Sequence, residues 1–448
     1  MLRLRDGQGT LWDEFLPPEI RVLSDELTAI DTLLDDDRFL APFSKRLMSN
    51  VGRPTIPMET YLRLMYLKHR YSMGYETLAK EVADSLSWRR FCRIRLDDHV
   101  PHSTTLIKLT KRCGPEIIDD LNATLLRTAV ERRLLRSRRL RVDTTATEAD
   151  VRYPTDSGLC AHAVSRLARA VSTVKSAGLA TRTRFRNRRQ TAGKIIRKVS
   201  HALSGRPRDR RAAIDKLTGE VHRLVIATAR EAAGVIRNAR RTLRSGHPNG
   251  EKQVLHLERE MALAQRLIDQ TARRLAGELV IADRLISLSD PDARPIRRGK
   301  PQQPTEFGYK VSIADTPEGF VVSHQVYRGN PADAQTLEAA IGGAQDIGMK
   351  VTSVFADRGY GDVVGDNALA ACGITDSVIP RKGTAHPKQH TRAWRRRYRW
   401  RAGAEGRISA LKRGHGLRRT RLKGYRGAQI WTGFGVLTSN IDRLVALA

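Results

Sequence analysis

Between residues 160 and 300 the chain keeps one helical hydrophobic period, and on the immediate flanks of that block the period changes. "AIDKLTGEVHRLVIATAREAAGVIRNARRTL" repeats apolar residues at i, i+3, i+4 and i+7, and after the turn signal "SGHPNG" the run "EKQVLHLEREMALAQRLIDQTARRLAGELVIADRLISL" does the same. Residues three and four apart share a helix face, so the spacing predicts two long helices in an antiparallel hairpin. A shorter and less regular helical stretch precedes "SGRPR". On both sides of this block the sequence has strand character. "LRVDTTATEADVRY" lies before it; "FGYKVSIADT" and "GFVVSHQVYRG", separated by "PEG", read as a hairpin after the proline-rich basic linker "DPDARPIRRGKPQQP". Together these read as a mixed α/β layer interrupted by a helical insertion.

The rest of the order follows from local signals. "DAQTLEAAIGGAQDIG" reads as a helix, "MKVTSVFADRGYGD" as a buried strand running into a glycine loop, and "ITDSVIP" as another short strand. "RRRYRWRAGAEGRISALKRGHG" reads as helical, and "IWTGFGVLTSNIDRLVALA" as an apolar closing helix. Residues 1 to 135 read as all-helical. "TIPMETYLRLMYLKHRYS" carries Pro57 in its first turn, Gly74 breaks the chain before "YETLAKEVADS", "SWRRFCRI" follows, and Ser103 to Thr105 are placed to cap "TLIKLTKRCG". Short helices with scattered Arg and Lys suit a helix-turn-helix type of DNA-binding unit, and equally a plain helical domain. The domains expected are therefore 1–135, helical and DNA-binding; 136–159 with 300–448, the α/β layer; and 160–299, the basic helical insertion.

Charge narrows the partner. Lys and Arg number 80 against 48 Asp and Glu, a net charge of +32. Residues 160 to 300 alone hold 32 basic against 12 acidic side chains. Such a field favours a polyanion, and nucleic acid is the commonest. On the helical block the one-sided excess fits either nucleic-acid contact or a solvated face. A basic membrane-surface protein would need an amphipathic helix with exposed bulky apolar residues or a lipidation signal; the sequence has neither, nor an apolar run long enough for a transmembrane helix. The start, "MLRLRDGQGTLWDEF", lacks the apolar core of a secretory signal, which predicts a cytoplasmic location. Cys92, Cys113, Cys160 and Cys372 are far apart with no CxxC pair, so isolated thiols are expected rather than a disulfide framework or a zinc site. The histidines show no metal-ligand spacing.

Against this basic background "LRVDTTATEADVRYPTDS" packs four acids: Asp143, Glu148, Asp150 and Asp156. In a strand, residues i and i+2 share a face. Asp143 then lies with Thr145, Thr147 and Ala149, whereas Glu148 and Asp150 lie on the other face, and Asp156 falls in a turn-like "YPTDS". A second candidate acid, Asp357, stands where an apolar strand gives way to a loop, the position at which α/β sheets carry functional groups. The third is Glu405. On one continuous helix Tyr398, Arg401, Glu405 and Lys412 fall within about a 60° arc, which reads either as part of a site or as an ion-pair ladder. Trp394 and Trp400 nearby are candidates for stacking on an unpaired base, or for ordinary packing.

These residues carry a resemblance. "RVDTTATEADVRYPTDSG", "FADRGYGD" and the Tyr398-x2-Arg401-x3-Glu405-x6-Lys412 spacing resemble, in order, the three motifs of bacterial insertion-sequence DDE transposases, the last being that family's Tyr-Arg-Glu-Lys signature. "RGHGLRRTRLKGYRGAQIW" resembles the family's tail, and residues 55 to about 115 its N-terminal domain. The resemblance covers most of the chain and is weakest over 160–300.

It implies an RNase H-like core: a mixed sheet flanked by helices, with an all-α N-terminal domain and a helical insertion after the first core strand. Asp143, Asp357 and Glu405 would be the catalytic acids and would coordinate two Mg²⁺ ions, with Mn²⁺ able to substitute. Magnesium prefers carboxylate oxygen, and a metal pair can activate an attacking oxygen and stabilise the leaving one. Bound cations also resolve the repulsion between an acidic cluster and a polyanion. Arg401, Lys412 and Tyr398 would contact DNA near the scissile phosphate. The activity implied is binding of the element's terminal inverted repeats, DNA cleavage and strand transfer, with double-stranded DNA as partner and a homodimer on the DNA. Two other readings are a domesticated, catalytically silent DNA-binding protein, and a nuclease of the same fold that hydrolyses without joining.

Overall fold

The computed structural model describes residues 1–6, 17, 22–47, 51–204, 207–245, 249–297, 305–383 and 387–448. Parts of the N-terminal run, of the "SGRPR" and "SGHPNG" turns and of the proline-rich linker lie outside the described residues. The chain groups into two compact units, residues 1–150 with 296–448, and residues 151–295.

The first unit begins with helices α1 (Asp25–Leu34), α2 (Ala41–Leu47), α3 (Met58–Arg70), α4 (Tyr75–Asp84), α5 (Leu86–Phe91) and α6 (Ser103–Glu131). Pro57 and Gly74 are the N-caps of α3 and α4. The cap of α6 is not the Ser-Thr-Thr run but His102, whose ring nitrogen accepts from the Thr104 N–H at 3.3 Å. Ser103 is instead buried in the first turn. Within α6, Gly114 adopts φ 71° and is followed by Pro115, which has no N–H to give. The α6 helix bends there.

Strand β1 (Arg139–Ala149) follows, and the chain then enters the second unit. Its helices are α7 (Asp156–Ser176), α8 (Arg189–Leu203), α9 (Pro207–Arg244) and α10 (Glu251–Leu275). The periodic faces meet as the spacing predicts: Val221, Val225, Ala232 and Val235 of α9 and Val254, Leu257 and Leu267 of α10 share one aliphatic core with α7. The α10 helix ends at Leu275 rather than running through "GELVIADRLISL". Gly277 at φ 97° closes it in a left-handed turn that side chains with a Cβ avoid. Asp156 is not in a turn either. Thr155 caps α7 by accepting from the Gly158 N–H, and Asp156 in the first turn pairs with Arg284 at 2.9 Å.

The chain returns through β2 (Arg294–Arg297) to β3 (Thr305–Asp315), β4 (Val321–Tyr327), α11 (Leu337–Asp346), β5 (Ser353–Phe355), α12 (Val363–Ala371) and β6 (Asp376–Val378). It ends with α13 (Arg392–Tyr398), α14 (Gly403–Gly414), β7 (Arg419–Thr420) and α15 (Tyr425–Val445). The sheet is mixed, in the order β2-β3-β1-β5-β6, with β4 also on β3 and β7 also on β1. β3 and β4 form the expected antiparallel hairpin, β3 runs antiparallel to β1, and β5 and β6 run parallel to it. The result is a helix-rich α/β architecture. Its core is continuous from Leu27 and Phe43 through Leu140 and Val354 to Phe434 and Leu444. The closing helix α15 is pinned to β4 by Asn440, which accepts from the Val321 N–H at 2.9 Å and donates to the Val321 carbonyl at 2.8 Å. No helix is long and apolar enough to cross a membrane among the described residues.

Candidate active site

Two strands position the first two acids. β1 and β5 run parallel with Arg141 opposite Phe355. Two residues further along each chain stand Asp143 and Asp357, at corresponding places past the shared register. Backbone amides fix one oxygen of each: Asp143 Oδ1 accepts from the Thr144 N–H at 2.8 Å and Asp357 Oδ1 from the Gly359 N–H at 2.7 Å. The other oxygens share a donor, since Arg401 Nη2 lies 3.3 Å from Asp143 Oδ2 and 3.3 Å from Asp357 Oδ2. Those bonds are longer than the 2.7–2.9 Å typical of charge-assisted pairs. The guanidinium holds the two carboxylates together loosely.

Of the other residues expected here, Tyr398 is close. Its hydroxyl is pushed up in pKa mainly by burial, with Arg401 opposing and the charges of Asp357 and Asp143 reinforcing the shift. Its ring stacks on Trp394, centroids 4.9 Å apart and planes 14° apart. Trp400 is a packing residue: it meets Phe355 edge-on at 4.8 Å and lies under the Arg141 guanidinium at 4.9 Å. Lys412 is half-buried on α14. Glu405, in the first turn of α14, is exposed.

The expected single helix through Tyr398, Arg401, Glu405 and Lys412 is broken. Residues 399–402 form a 3-10 turn between α13 and α14, which rotates Glu405 and Lys412 out of the register assumed for a continuous stripe. Two causes are visible. Arg141 Nη1 donates to the Trp400 carbonyl at 2.8 Å, and Gly403, a weak helix former, opens α14.

Sequence reasoning missed Arg141 and Asp315. They form a buried ion pair of 2.5 Å that joins β1 to β3, and Arg407 of α14 reaches the same carboxylate at 3.3 Å. The signal was present: Arg141 is a charged residue two places before Asp143 in a strand whose neighbours are apolar. Glu148 and Asp150 do turn elsewhere, to Arg419 at 3.2 and 3.9 Å. The thiols are isolated, with Cys92, Cys113 and Cys160 buried, and burial pushes Cys113 up to about 12 and Cys160 up to about 11.

The donor chemistry can be tested against a hard divalent cation. Asp143 and Asp357 offer carboxylate oxygens, and the Arg401 guanidinium already stands in for a cation between them. Among the described residues, however, no group of three or more His, Cys, Asp or Glu side chains is disposed to hold a metal. The two strand acids fit; Glu405 stands apart from them in this arrangement.

Comparison with known proteins adds to this geometry. Residues 15–112 match a family described as a transposase domain (DUF772), and residues 373–445 match one described as a transposase DDE domain. The second segment contains Tyr398, Arg401, Glu405 and Lys412; Asp143 and Asp357 lie outside both. An uncharacterized protein of Rhizobium meliloti, ORF8 in the nfe locus, is 27% identical over 157 residues, covering 34% of this chain and 74% of that protein. No solved structure matches the chain.

Proposed function

We propose, from the premise that this chain is an insertion-sequence DDE transposase, as its two family matches indicate, that it binds the terminal inverted repeats of its element, cleaves DNA there and transfers the strands to a target. One observation carries the reading. Arg401, inside the segment matched to the transposase DDE domain, bonds both Asp143 and Asp357, which lie outside it. Three motifs far apart in sequence thus meet in part at one guanidinium. The mixed sheet, with β1 antiparallel to β3 and parallel to β5, supports an RNase H-like core. In that reading 1–135 is the DNA-binding domain, 136–159 with 300–448 the catalytic domain and 160–299 the insertion.

Asp143 and Asp357 would hold a divalent cation, with Glu405 completing the set; two Mg²⁺ ions are the expected complement, with Mn²⁺ as a substitute. When bound, such ions generate an attacking oxygen nucleophile and stabilise the leaving oxygen. The chain's own residues supply orientation. The Thr144 and Gly359 amides keep one oxygen of each aspartate fixed, so both remaining oxygens face the same point. Arg401, released from the carboxylates once their charge is neutralised, is placed to contact a phosphate beside them, with Lys412 and Tyr398. A net charge of +32 draws the DNA and makes its binding steeply salt-dependent. Handling two element ends calls for a homodimer on DNA, and the work is cytoplasmic, at the nucleoid.

A catalytically silent DNA-binding protein is the second reading, favoured by the separation of Glu405 from the aspartates. Strand cleavage and joining on inverted-repeat ends in Mg²⁺ decides between them. Wild type is expected to cut and join, and Asp143→Ala, Asp357→Ala and Glu405→Ala to bind ends but do neither. Joining retained by any one variant removes that residue from the site. Inactive wild type with intact end-binding supports the silent protein, and cutting without joining supports a nuclease.

A further inference from the structure

A fourth carboxylate approaches the pair. Asp333 opens the 3-10 turn Asp333–Thr336 before α11. Its Oδ1 accepts from the Thr144 hydroxyl at 2.7 Å and pairs with Lys310 Nζ at 2.7 Å. Thr144 therefore links two acids, giving its N–H to Asp143 and its hydroxyl to Asp333. On the other side Asp333 faces Asp357 across Gly359. A Cβ at Gly359 would stand 2.7 Å from Asp333 Oδ2 and 2.8 Å from Asp357 Oδ1, closer than real Cβ contacts come. Glycine keeps that space open between the two carboxylates.

A second observation points into the same space. The Tyr360 side chain is buried, and its hydroxyl has no hydrogen-bond partner among the described residues. The Thr336 hydroxyl beside it donates instead to the Asp333 carbonyl at 2.7 Å. Burial, first, pushes the Tyr360 hydroxyl up in pKa, with the charges of Asp333, Asp143 and Asp357 adding to the shift and Thr336 opposing it. A buried hydroxyl left without a well-formed partner calls for a physical explanation.

We propose that Asp333 is a positioning residue of this site: through Thr144 it sets the orientation of Asp143, and thereby how tightly the Asp143–Asp357 pair takes a divalent cation. The inference rests on the reading of that pair as the cation-binding acids. Partners that orient a ligating carboxylate contribute about 10- to 100-fold in metal affinity.

The test is Mn²⁺ binding to the full chain without DNA, followed by electron paramagnetic resonance and calorimetry. Asp333→Asn preserves shape but exchanges the charged acceptor of the Thr144 hydroxyl for a neutral, weaker one, which loosens the strap. Thr144→Val removes the strap at constant shape, and Thr144→Ser restores it. Thermal melts confirm that each variant is folded, and Lys310→Met with Asp333→Asn avoids leaving the Lys310 ammonium unpaired. Weakening of Mn²⁺ binding by about tenfold or more in Asp333→Asn and Thr144→Val, with recovery in Thr144→Ser, supports the proposal. Wild-type affinity in both overturns it, and weakening in Asp333→Asn with no change in Thr144→Val overturns the positioning role. Asp143→Ala separates the two levels. If that variant binds Mn²⁺ as wild type does, the site reading fails and takes this inference with it. If it loses Mn²⁺ while Asp333→Asn keeps it, this inference alone fails.

Discussion

The two units treat charge differently. In the helical unit the core is mostly Leu, Val, Ile and Ala, its buried charges are the acids Glu260 and Asp290 among the described residues, and its basic residues are at least partly exposed, as in the pairs Arg240–Glu258 and Arg188–Glu231. In the sheet-bearing unit charge goes inside: Arg63, Lys68, Arg141, Lys310 and Asp315 are all buried. An ion taken out of water costs several kcal/mol unless its partner is well placed. The unit that buries ions therefore depends on a few exact pairings, whereas the other depends on the area of its aliphatic stripe.

The sharpest way to break that contrast is at Arg141. It pairs with Asp315, donates to the Trp400 carbonyl and lies over the Trp400 ring. Arg141→Met leaves Asp315 buried with Arg407 as its one remaining cationic partner among the described residues, so chemical denaturation is expected to show a loss of about 3–5 kcal/mol. Arg141→Met with Asp315→Leu removes both charges and is expected to recover most of the loss. A single variant as stable as wild type would mean that the pair organises nothing. The same experiment touches function, because Arg141 fixes the turn before Glu405.

That dependence explains what the sequence made legible. Period and alternation located the hairpin of β3 and β4, the long helices α9 and α10, and Asp143 apart from Glu148 and Asp150, because each of these is a local, repetitive signal. Asp357 was found at a strand end by the same means, though β5 is only three residues long. The break at 399–402 was not legible, since what stops the helix is a hydrogen bond from Arg141, over 250 residues earlier in the chain. Asp333 was missed for a similar reason. Nothing near it in sequence marks it, and its significance comes from Thr144 and Gly359, brought alongside by the sheet.

Lys68 is expected to show the opposite sign. Its ammonium is buried with no hydrogen-bond partner among the described residues, 3.8 Å over the Trp431 ring and 4.5 Å over Tyr75. Burial, and then Arg421, holds its pKa well below the usual lysine value. The unfolded chain thus binds this proton more tightly than the folded one, and stability rises with pH until lysine's ordinary pKa of 10.5 is passed. Lys68→Met is expected to stabilise by about 1–3 kcal/mol at neutral pH and to flatten that rise. The neighbouring His69, also held low chiefly by burial, adds a loss of stability as pH falls below its ordinary 6.5. Thermal melts from pH 5 to 10 on wild type and variant read both effects; a destabilised Lys68→Met would mean that the cation–aromatic contacts outweigh desolvation.

The smallest effect is expected at the rim of the helical unit. Arg240 and Glu258 approach to 2.6 Å, yet each side chain is 33% exposed, so water and salt screen the pair. Hydrogen bonding from Arg240 holds Glu258 below the usual carboxylate range, a shift that solvent screening makes a poor measure of stability. Arg240→Ala is expected to cost no more than about 1 kcal/mol, and less in high salt. If the basic faces of this unit grip DNA, the same substitution should weaken DNA binding uniformly across sequences and shallow its salt dependence while the melting curve hardly moves. A variant that loses stability but keeps its salt slope would place Arg240 with the buried ions of the other unit, and the contrast between the two units would dissolve at that position.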